Sequence, residues 1–257
     1  KPGHAVELAA DFARRFREEA LIVACGGDGT AHEVANGVLG TPAAMTILPL
    51  GTGNDFARAA LSSLDLATLL PRLQHAVIRP IDLLSVNGKI CLNITSFGFD
   101  TRVQRLMMQI NSRLHLLGRF AYPLAIVAGL LGNKRFQMRC QLEAGEPEIR
   151  SYILAALCNG RYYGGGFNPA PAARLDDGLL DLILVDPLPL HRILKLIPLY
   201  KKGRHLADPA VHHDQVQKGV LAALPGQMLL GNIDGELFTT DQLAFTVLPR
   251  AIRFAFY

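Results

Sequence analysis

The chain has 257 residues, of which 50% are hydrophobic and 19% are charged. This length suits one large domain or two modest ones, and the apolar fraction allows a sizeable core, so wholesale disorder is excluded. The net charge of +4 is a mild surplus that selects no partner by itself. Nucleic acid is disfavoured as a partner because aromatic residues make up only 7% of the chain and no nucleic-acid-binding motif occurs.

The cysteines and the lengths of the apolar stretches bear on the cellular compartment. Four cysteines lie in apolar runs without paired spacing: Cys25, Cys91, Cys140 and Cys158. They predict buried, reduced thiols and not a disulfide framework or a zinc site. No signal peptide is visible, and the most apolar stretch, 116–131, contains Arg119 and Pro123 and is too short to span a bilayer. We expect a cytoplasmic protein.

The first predicted elements alternate between helix, strand and glycine turn. A first helix is predicted from apolar residues at three- and four-residue steps: Val6, Ala9, Phe12, Ala13 and Phe16. The apolar run 21–25 predicts a strand buried on both faces of a parallel sheet, and a helix over 31–39 follows it. A second short strand at 46–48 precedes a helix that begins near Asn54. This alternation indicates an α/β unit.

From about Ile81 the pattern changes to strands separated by turn residues. The runs 81–86 and 89–95 flank Asn87-Gly88, which predicts a type I′ hairpin. Further strands are predicted at 136–142, 149–158, 179–185, 227–233, 242–248 and 251–256. Helices are predicted near 101–131 and 189–203. We therefore expect an α/β domain over 1–79 and a mostly antiparallel β-rich domain over 80–257, whose C-terminal strand can return to the first domain.

The sharpest motif is Gly26-Gly27-Asp28-Gly29-Thr30, which lies between a predicted strand and a predicted helix. Glycines let backbone N–H groups approach an anion closely, and the helix N-terminus adds a positive dipole. The motif is not a P-loop, because no Gly-Lys-Ser/Thr follows. A carboxylate beside phosphate oxygens needs a divalent cation between them, so Asp28 predicts a Mg²⁺-bound nucleotide. The alternative is a simple turn in which Asp28 only caps the helix.

A second glycine turn follows the next predicted strand, at Pro49-Leu50-Gly51-Thr52-Gly53-Asn54. Turns after parallel strands open on the same carboxyl edge of the sheet, where α/β proteins bind their ligands. Thr52 and Asn54 can donate hydrogen bonds to phosphate or sugar oxygens there. Asp55 either contacts the ligand or caps the helix that starts at Phe56, and the sequence leaves both roles open.

These motifs resemble the catalytic domain of the diacylglycerol kinase-like lipid kinases, which include bacterial diacylglycerol and phosphatidylglycerol kinase-like proteins and, more distantly, sphingosine and ceramide kinases. The resemblance rests on GGDGTAHEVANGV and LPLGTGNDFARA, and it continues through NGRYYGGG, ARLDDGLLD and DGE. It implies an N-terminally truncated α/β nucleotide-binding domain of the phosphofructokinase/NAD kinase type, followed by a mostly antiparallel β-sandwich domain. GGDGT alone is shared with NAD kinases, so GTGNDFAR and DDGLLD are the discriminating motifs.

The resemblance implies an ATP- and Mg²⁺-dependent kinase that phosphorylates the hydroxyl of a lipid, of diacylglycerol or phosphatidylglycerol type. The implied nucleotide-binding residues are Gly26, Gly27, Asp28, Gly29, Thr30, Ala31, His32, Gly51, Thr52 and Asn54. Phosphoryl transfer needs a group that takes the hydroxyl proton. By resemblance Glu236 is this proton acceptor, Asp234 orients it or binds metal, and Asp28 completes the catalytic set. Without the resemblance, Asp234-Gly235-Glu236 is an exposed hairpin turn.

A structural Mg²⁺ site is also implied by the resemblance. The side chain of Asp177 and the backbone carbonyls of Arg174 and Leu179 would hold the ion, a mixed oxygen set that hard cations accept. From the residues alone, Asp176-Asp177-Gly178 is a simple turn that enters a strand. The run Gly164-Gly165-Gly166 permits close backbone approach, either to a ligand or to a neighbouring strand.

Two basic stretches bear on membrane contact. Residues 101–142 and 187–207 contain Lys and Arg but no Asp or Glu. Interleaved apolar residues make the segments 101–131 and 189–203 candidates for interfacial helices on an anionic membrane, and ordinary solvated helix faces are the alternative. Each basic side chain near an anionic surface contributes about 1 kcal/mol, so a few suffice for transient docking. A homodimer is one option for the oligomeric state, which the sequence does not fix.

Two other functions stay open. An NAD kinase would share GGDGT but should lack the GTGNDFAR turn and the DDG entry to a strand. A nucleotide- or lipid-binding module without turnover is the non-enzymatic alternative. Members of the resembled family normally have a strand, an Asn-Pro-containing loop and a further strand ahead of the helix that opens this chain. The non-enzymatic alternative stays open because, without these elements, independent ATP binding is in question.

Overall fold

The computed structural model describes residues 3–113, 129 and 135–257. The helices of this part of the chain are α1 (His4–Phe16), α2 (Asp28–Val38), α3 (Asp55–Ala60), α4 (Leu66–Leu73), α5 (Phe99–Arg113) and α6 (Leu190–Lys201). Its strands are β1 (Leu21–Gly26), β2 (Ala44–Pro49), β3 (Val77–Val86), β4 (Lys89–Cys91), β5 (Ile94–Gly98), β6 (Phe136–Leu142), β7 (Glu148–Tyr152), β8 (Leu154–Cys158), β9 (Leu180–Val185), β10 (Val211–Val216), β11 (Lys218–Ala223), β12 (Leu229–Ile233), β13 (Glu236–Thr240) and β14 (Gln242–Phe256).

Two sheets organise the described residues. An eight-stranded sheet runs in the order β1-β2-β14-β11-β6-β7, with β3 paired to β14 and β4 paired to β3. Within it, β1, β2 and the end of β14 are parallel, whereas the other pairs are antiparallel. A six-stranded antiparallel sheet runs in the order β10-β9-β8-β5-β12-β13. An α/β unit followed by an antiparallel sandwich confirms the predicted fold class.

Three apolar clusters hold these layers together. The first, around Met45, Phe56 and Phe254, lies between the parallel strands and the helices that cover them. The second fills the space between the two sheets, and the third lies between the six-stranded sheet and α6. Close packing of α1 on α2 depends on Gly37, because a Cβ there would come within 2.6 Å of the Ala9 Cβ. Apolar burial of this extent is the main stabilising contribution to such a fold.

The C-terminal strand crosses from one half of the fold to the other. The sequence predicts two strands, 242–248 and 251–256, but β14 is one strand with a register shift between Leu248 and Ile252. At this bulge Arg250 has a positive φ of 54°, and its N–H donates to the buried carboxylate of Asp82 at 2.7 Å. The last residues of β14 then pair in parallel with β2. A β-bulge bends a strand without ending it, which local patterns do not reveal.

Several predicted elements need correction. The stretch 149–158 forms two strands, because β7 pairs in the eight-stranded sheet and β8 in the six-stranded sheet. The strands β10, β11 and β13 were not predicted. The predicted helix over 101–131 is observed as α5 up to Arg113, and the rest of it, apart from 129, lies outside the described residues. The Asn87-Gly88 hairpin is confirmed, since both residues have positive φ and β3 pairs with β4.

The burial predicted for the N-terminal elements is partly wrong. Leu21 is 39% exposed and Cys25 is also exposed, because β1 pairs only with β2 in the described sheet. The other three cysteines are buried and free, as predicted. On α1 the small residues Ala9 and Ala13 are buried, whereas two phenylalanines of the predicted inner face are each 46% exposed and stack on one another. Across the described residues, no helix is both long enough and apolar enough to cross a bilayer.

Candidate active site

A cleft of about 430 Å³ lies between the glycine turns and the six-stranded sheet. Its polar end is formed on one side by Asp28, Thr52 and Gly53, and on the other by Asn232, Asp234 and Gly235. Its apolar end is lined by α5 and α6 through Phe99, Val103, Met107, Ile193, Leu196 and Ile197. A ligand with a charged head and an apolar tail matches this arrangement, because apolar surface gains by leaving water and polar groups need partners.

The two glycine turns lie at the same edge of the sheet and touch each other. Strands β1 and β2 are parallel with Gly26 opposite Pro49, so their turns begin side by side. A Cβ on Gly51 would lie only 2.4 Å from the Cα of Gly27. These two glycines are therefore required for contact between the turns themselves. Gly29, in contrast, is exposed and faces open space, so its backbone is accessible to a ligand.

The start of α2 provides donors for an anion. The helix begins at Asp28, and its N-cap residue, Gly27, has no side chain that could cap it. The first N–H that bonds back to the turn is that of Ala31, which donates to the carbonyl of Gly27. The preceding N–H groups at a helix N-terminus have no intrahelical acceptor, and the helix dipole adds positive potential. Phosphate groups bind at such positions.

Asp28 has a structural contact that the sequence did not predict. Its Oδ1 accepts a hydrogen bond at 2.9 Å from the N–H of Phe56, so it caps α3 and not its own helix. Its Oδ2 lies close to Gly53, where a Cβ would come within 2.9 Å of it. The carboxylate therefore joins the first glycine turn to the start of α3 and also lines the polar end of the cleft. Its contact with a Mg²⁺-bound nucleotide stays a prediction.

The two donors predicted in the second turn differ in their surroundings. Asn54 has a positive φ of 53°, and its side chain closes the turn by accepting from the N–H of Gly51 and donating to the carbonyls of Gly51 and Pro49. This amide is occupied by the turn. Thr52 is exposed and lines the cleft. Thr52 is thus the better placed of the two to contact a ligand.

The side chain of Asp55 makes a contact that neither of its two predicted roles included. Its carboxylate is 6% exposed and accepts hydrogen bonds from the N–H groups of Gly165 at 2.8 Å and Gly166 at 2.7 Å. The triple-glycine run therefore approaches Asp55, and both glycines have positive φ. Burial raises the pKa of Asp55, and the nearby charge of Asp28 adds to this rise while the glycine N–H groups oppose it. This contact links α3 to the loop that follows β8.

Asp234 and Glu236 lie in the hairpin between β12 and β13, as the turn pattern predicts. The side chain of Asp234 is 3% exposed, and its carboxylate accepts hydrogen bonds from the N–H groups of Leu92, Asn93 and Ile94. Its Oδ2 also lies 2.7 Å from Nδ1 of His32. Glu236 is the first residue of β13 and is exposed. The structure thus brings the hairpin to the same cleft as the glycine turns.

Two polar residues of α5 were missed by sequence reasoning. Gln104 donates to the carbonyl of Gly235 at 2.5 Å and accepts from the side chain of Asn232, so it braces the hairpin. Asp100 lines the cleft, and burial raises its pKa to about 6, although hydroxyl groups, including that of Ser96, oppose the shift. Nothing in the local pattern marks Gln104, because its partners are more than 120 residues away in sequence. Asp100 was missed because its burial depends on the fold, although its partners include the neighbouring Ser96 and Thr101.

The implied metal residues lie together in one turn. The N–H of Leu179 donates to Oδ1 of Asp177 at 3.1 Å, and Arg174 pairs with Asp176. Burial raises the pKa of Asp177, and the charges of Asp181 and Asp82 add to the rise. Within residues 3–113, 129 and 135–257, no group of three or more His, Cys, Asp or Glu side chains is arranged to hold a metal ion.

Family models match nearly the whole chain. Residues 1–86 match the model described as the diacylglycerol kinase catalytic domain. Residues 93–256 match the model described as the YegS C-terminal NAD kinase beta sandwich-like domain. The two models therefore meet close to the boundary between β3 and β5.

The chain is similar to curated relatives over most of its own length and most of theirs. A Pseudomonas aeruginosa (strain UCBPP-PA14) protein named "Probable lipid kinase YegS-like" is 37% identical over 94% of this chain and 80% of its own. The diacylglycerol kinase of Bacillus subtilis (strain 168) is 31% identical over 91% of this chain and 78% of its own. A crystal structure of a diacylglycerol kinase from Bacillus anthracis str. Sterne covers all of this chain with a TM-score of 0.71 at 20% identity. A second structure from that organism reaches a TM-score of 0.80 at 21% identity, and both likenesses concern the fold.

Proposed function

Because this chain belongs to the diacylglycerol kinase-like family of lipid kinases, we propose that it transfers the γ-phosphoryl group of ATP to the hydroxyl of a lipid. Membership in this family makes the chain a kinase. The finer proposal is supported by a cleft that joins the glycine turns at its polar end to a chamber lined by α5 and α6. Positioning and charge stabilisation are the main requirements of phosphoryl transfer.

The glycine turns are proposed to bind the phosphates of ATP. The free N–H groups at the start of α2 would bind phosphate oxygens, and the exposed backbone of Gly29 lets the phosphates approach closely. Thr52 would donate its hydroxyl from the second turn. Ala31 and His32 follow on α2, where the first is buried and the second reaches the opposite hairpin. The backbone of Gly26–Thr30 is therefore proposed as the main nucleotide contact.

Mg²⁺ fits this site as an ion shared with the nucleotide. Mg²⁺ is commonly bound through one or two carboxylates together with substrate phosphates, and the described residues offer no cage of three or more acidic or His ligands. Asp28 is the carboxylate at the glycine turn that would contribute. A bound cation would neutralise the charge of the phosphoryl group that is transferred.

Glu236 is proposed as the proton acceptor. It follows Asp234 and Gly235, which line the polar end of the cleft, and it is exposed at the start of β13. As the lipid oxygen forms its bond to the γ-phosphorus, the bond from that phosphorus to the β-phosphate bridging oxygen breaks and ADP leaves with the electron pair. The hydroxyl proton moves to the Glu236 carboxylate, which is general base catalysis.

A second Mg²⁺ is proposed at Asp177, with the backbone carbonyls of Arg174 and Leu179 as further ligands. The side chain of Asp177 and these two carbonyls lie within six consecutive residues and form a mixed oxygen set of the kind that hard cations accept. This site would be structural, since these residues are not among those that line the cleft.

The acceptor is proposed to be a lipid of the diacylglycerol or phosphatidylglycerol class. Its acyl part would occupy the apolar end of the cleft, where α5 and α6 supply aliphatic and aromatic side chains. Its hydroxyl would lie between the glycine turns and Glu236. Long apolar chains gain free energy by leaving water for such a chamber.

Contact with an anionic membrane is proposed to occur through the outer face of α6. This face exposes Leu190, Leu194 and Leu199 together with Lys195, the exposed Lys202 follows the helix directly, and residues 187–207 contain no acid. The inner face of the same helix lines the cleft. A basic amphipathic helix with exposed leucines is suited to an anionic bilayer surface.

The test is incubation of the chain with γ-labelled ATP, Mg²⁺ and separate acceptors: diacylglycerol, phosphatidylglycerol, a sphingoid base, undecaprenol and NAD. Label in the lipid phase is the expected result. Label in NAD alone would replace the lipid kinase by an NAD kinase activity. Binding of ATP without transfer to any acceptor would leave a nucleotide-binding module and refute the proposed reaction.

A further inference from the structure

One side chain connects the nucleotide side of the cleft to the hairpin of Glu236. His32 lies on α2, one turn after the glycine motif, and its Nδ1 is 2.7 Å from Oδ2 of Asp234. The two residues are 202 positions apart in the chain. This hydrogen bond is therefore a direct link between the helix that begins at the phosphate-binding turn and the segment that carries the proposed base.

The neighbours of the imidazole assign its tautomer. The amide nitrogen of Asn36 lies 3.2 Å from Nε2 of His32 and also donates to the His32 carbonyl at 2.9 Å. An amide N–H is a donor, so in the neutral imidazole Nε2 accepts and the ring proton is on Nδ1. Nδ1–H then donates to Asp234. The ring is fixed on both sides, and its orientation does not depend on a ligand.

The carboxylate of Asp234, which accepts this hydrogen bond, is also held by backbone donors. Asp234 receives N–H groups from the three residues 92–94 at 2.6–3.1 Å, which tie it to the segment that leads into β5. Its own backbone has a positive φ of 46°, and Gly235 follows with 99°, so the turn places Glu236 at a defined point. Hydrogen bonds from N–H groups to a carboxylate are charge-assisted and short. Movement of this carboxylate would therefore move the base with it.

Charge strengthens the link. Burial alone would lower the pKa of His32, but the hydrogen bond to Asp234 and the negative charges of Asp234, Glu236 and Glu33 outweigh burial and raise it. The imidazole therefore lies in a negative potential that favours donation toward the hairpin.

We propose that His32 is a positioning residue, which holds the hairpin of Glu236 at the correct distance from the phosphate-binding turn. It acts through Asp234, and it is not primarily a nucleotide ligand. This inference rests on the proposed lipid kinase function. Gln104 and the N–H groups of residues 92–94 also hold this hairpin, but they belong to α5 and to the segment that leads into β5, whereas His32 ties the hairpin to the helix that begins at the glycine turn. The contact of Asp55 with the triple-glycine loop does not involve the segment 232–236.

The test compares three variants in steady-state kinetics. His32→Ala removes the donor, whereas His32→Asn keeps a nitrogen donor bonded to Cγ, in the place of Nδ1. Loss of a hydrogen bond to a charged partner predicts a fall in kcat of about 10- to 100-fold for His32→Ala, with the KM for ATP changed less than about threefold. His32→Asn should recover most of kcat. His75→Ala, at an exposed histidine on the surface, is the matched control and should match the unaltered chain.

Other outcomes would overturn the inference. A raised KM for ATP with unchanged kcat in His32→Ala would make His32 a nucleotide ligand. A lower melting temperature with unchanged kcat would make the bond purely structural, and failure of Asn to restore kcat would exclude the donor role. The lipid kinase function and the role of His32 can be refuted separately. An unaltered chain that phosphorylates no lipid refutes both of them. An active chain whose His32→Ala variant is unaffected refutes only the role of His32.

Discussion

The carboxyl of Asp100 is buried, and its raised pKa determines how much the free energy of unfolding changes with pH. Burial raises this pKa from 3.8 to about 6 in the folded chain. A carboxyl with a raised pKa binds its proton more tightly when folded, so its contribution to stability is complete below pH 3.8 and is lost as the pH rises toward 6. A shift of roughly two units corresponds to about 3 kcal/mol. Asp100 therefore destabilises the folded chain at neutral pH.

The perturbation that isolates this contribution is Asp100→Asn. The amide has the shape of the protonated acid and the same number of heavy-atom donors and acceptors, so it mimics the neutral form at every pH. The variant should gain stability over the unaltered chain as the pH rises. Of the full difference, about 2 kcal/mol should develop between pH 4.5 and pH 7.5.

The assay is urea unfolding of both chains across this pH range, with the difference in unfolding free energy plotted against pH. The difference cancels the titration of every other carboxylate that the substitution leaves unperturbed. Parallel curves, with a constant difference from pH 4.5 to 7.5, would mean that Asp100 titrates at its ordinary pKa and that its burial has no energetic consequence.

Four further changes test the site and its surroundings. Glu236→Gln should lower kcat about 10²- to 10⁴-fold while ATP affinity stays nearly constant, and unchanged turnover would remove this residue from the mechanism. Asp28→Ala should abolish the dependence of nucleotide affinity on Mg²⁺, which calorimetry with and without the ion measures; an unchanged ratio contradicts the cation bridge. Asp55→Ala leaves two N–H groups without their acceptor, so the free energy of unfolding should fall by about 2–4 kcal/mol in urea titrations, and a fall under about 0.5 kcal/mol would show that the link is dispensable. Replacing Lys195 and Lys202 by Gln should weaken sedimentation with phosphatidylglycerol vesicles about tenfold or more while activity toward a short-chain, water-soluble acceptor is kept; equal binding excludes the α6 face as the docking surface.

Local patterns predicted the parts of the fold that local chemistry determines. The strand-turn-helix units around GGDGT and GTGND, and the shared edge of the two turns, follow from apolar runs that end in glycines. The Asn87-Gly88 hairpin follows from the positive φ that its turn requires. The order of the motifs is also typical of the family to which the chain belongs.

Contacts between distant residues lay beyond those patterns. The exposure of Leu21 depends on the position of β1 at the edge of the described sheet, which an apolar run alone does not encode. The resemblance implies an orienting or metal-binding role for Asp234, but its role as the acceptor of three backbone N–H groups depends on a loop about 140 residues earlier. The cap that Asp28 forms on α3 has the same origin.

The path of β14 has a consequence for how the chain can be divided. This strand has 15 residues, and it supplies neighbours to β11 near its start and to β2 at its end. An isolated fragment 1–79 would lose the strand beside β2 and expose Met45 and its apolar neighbours, which are buried in the intact chain. The first half therefore depends on the C-terminal strand, and we expect the two halves to melt in a single cooperative transition.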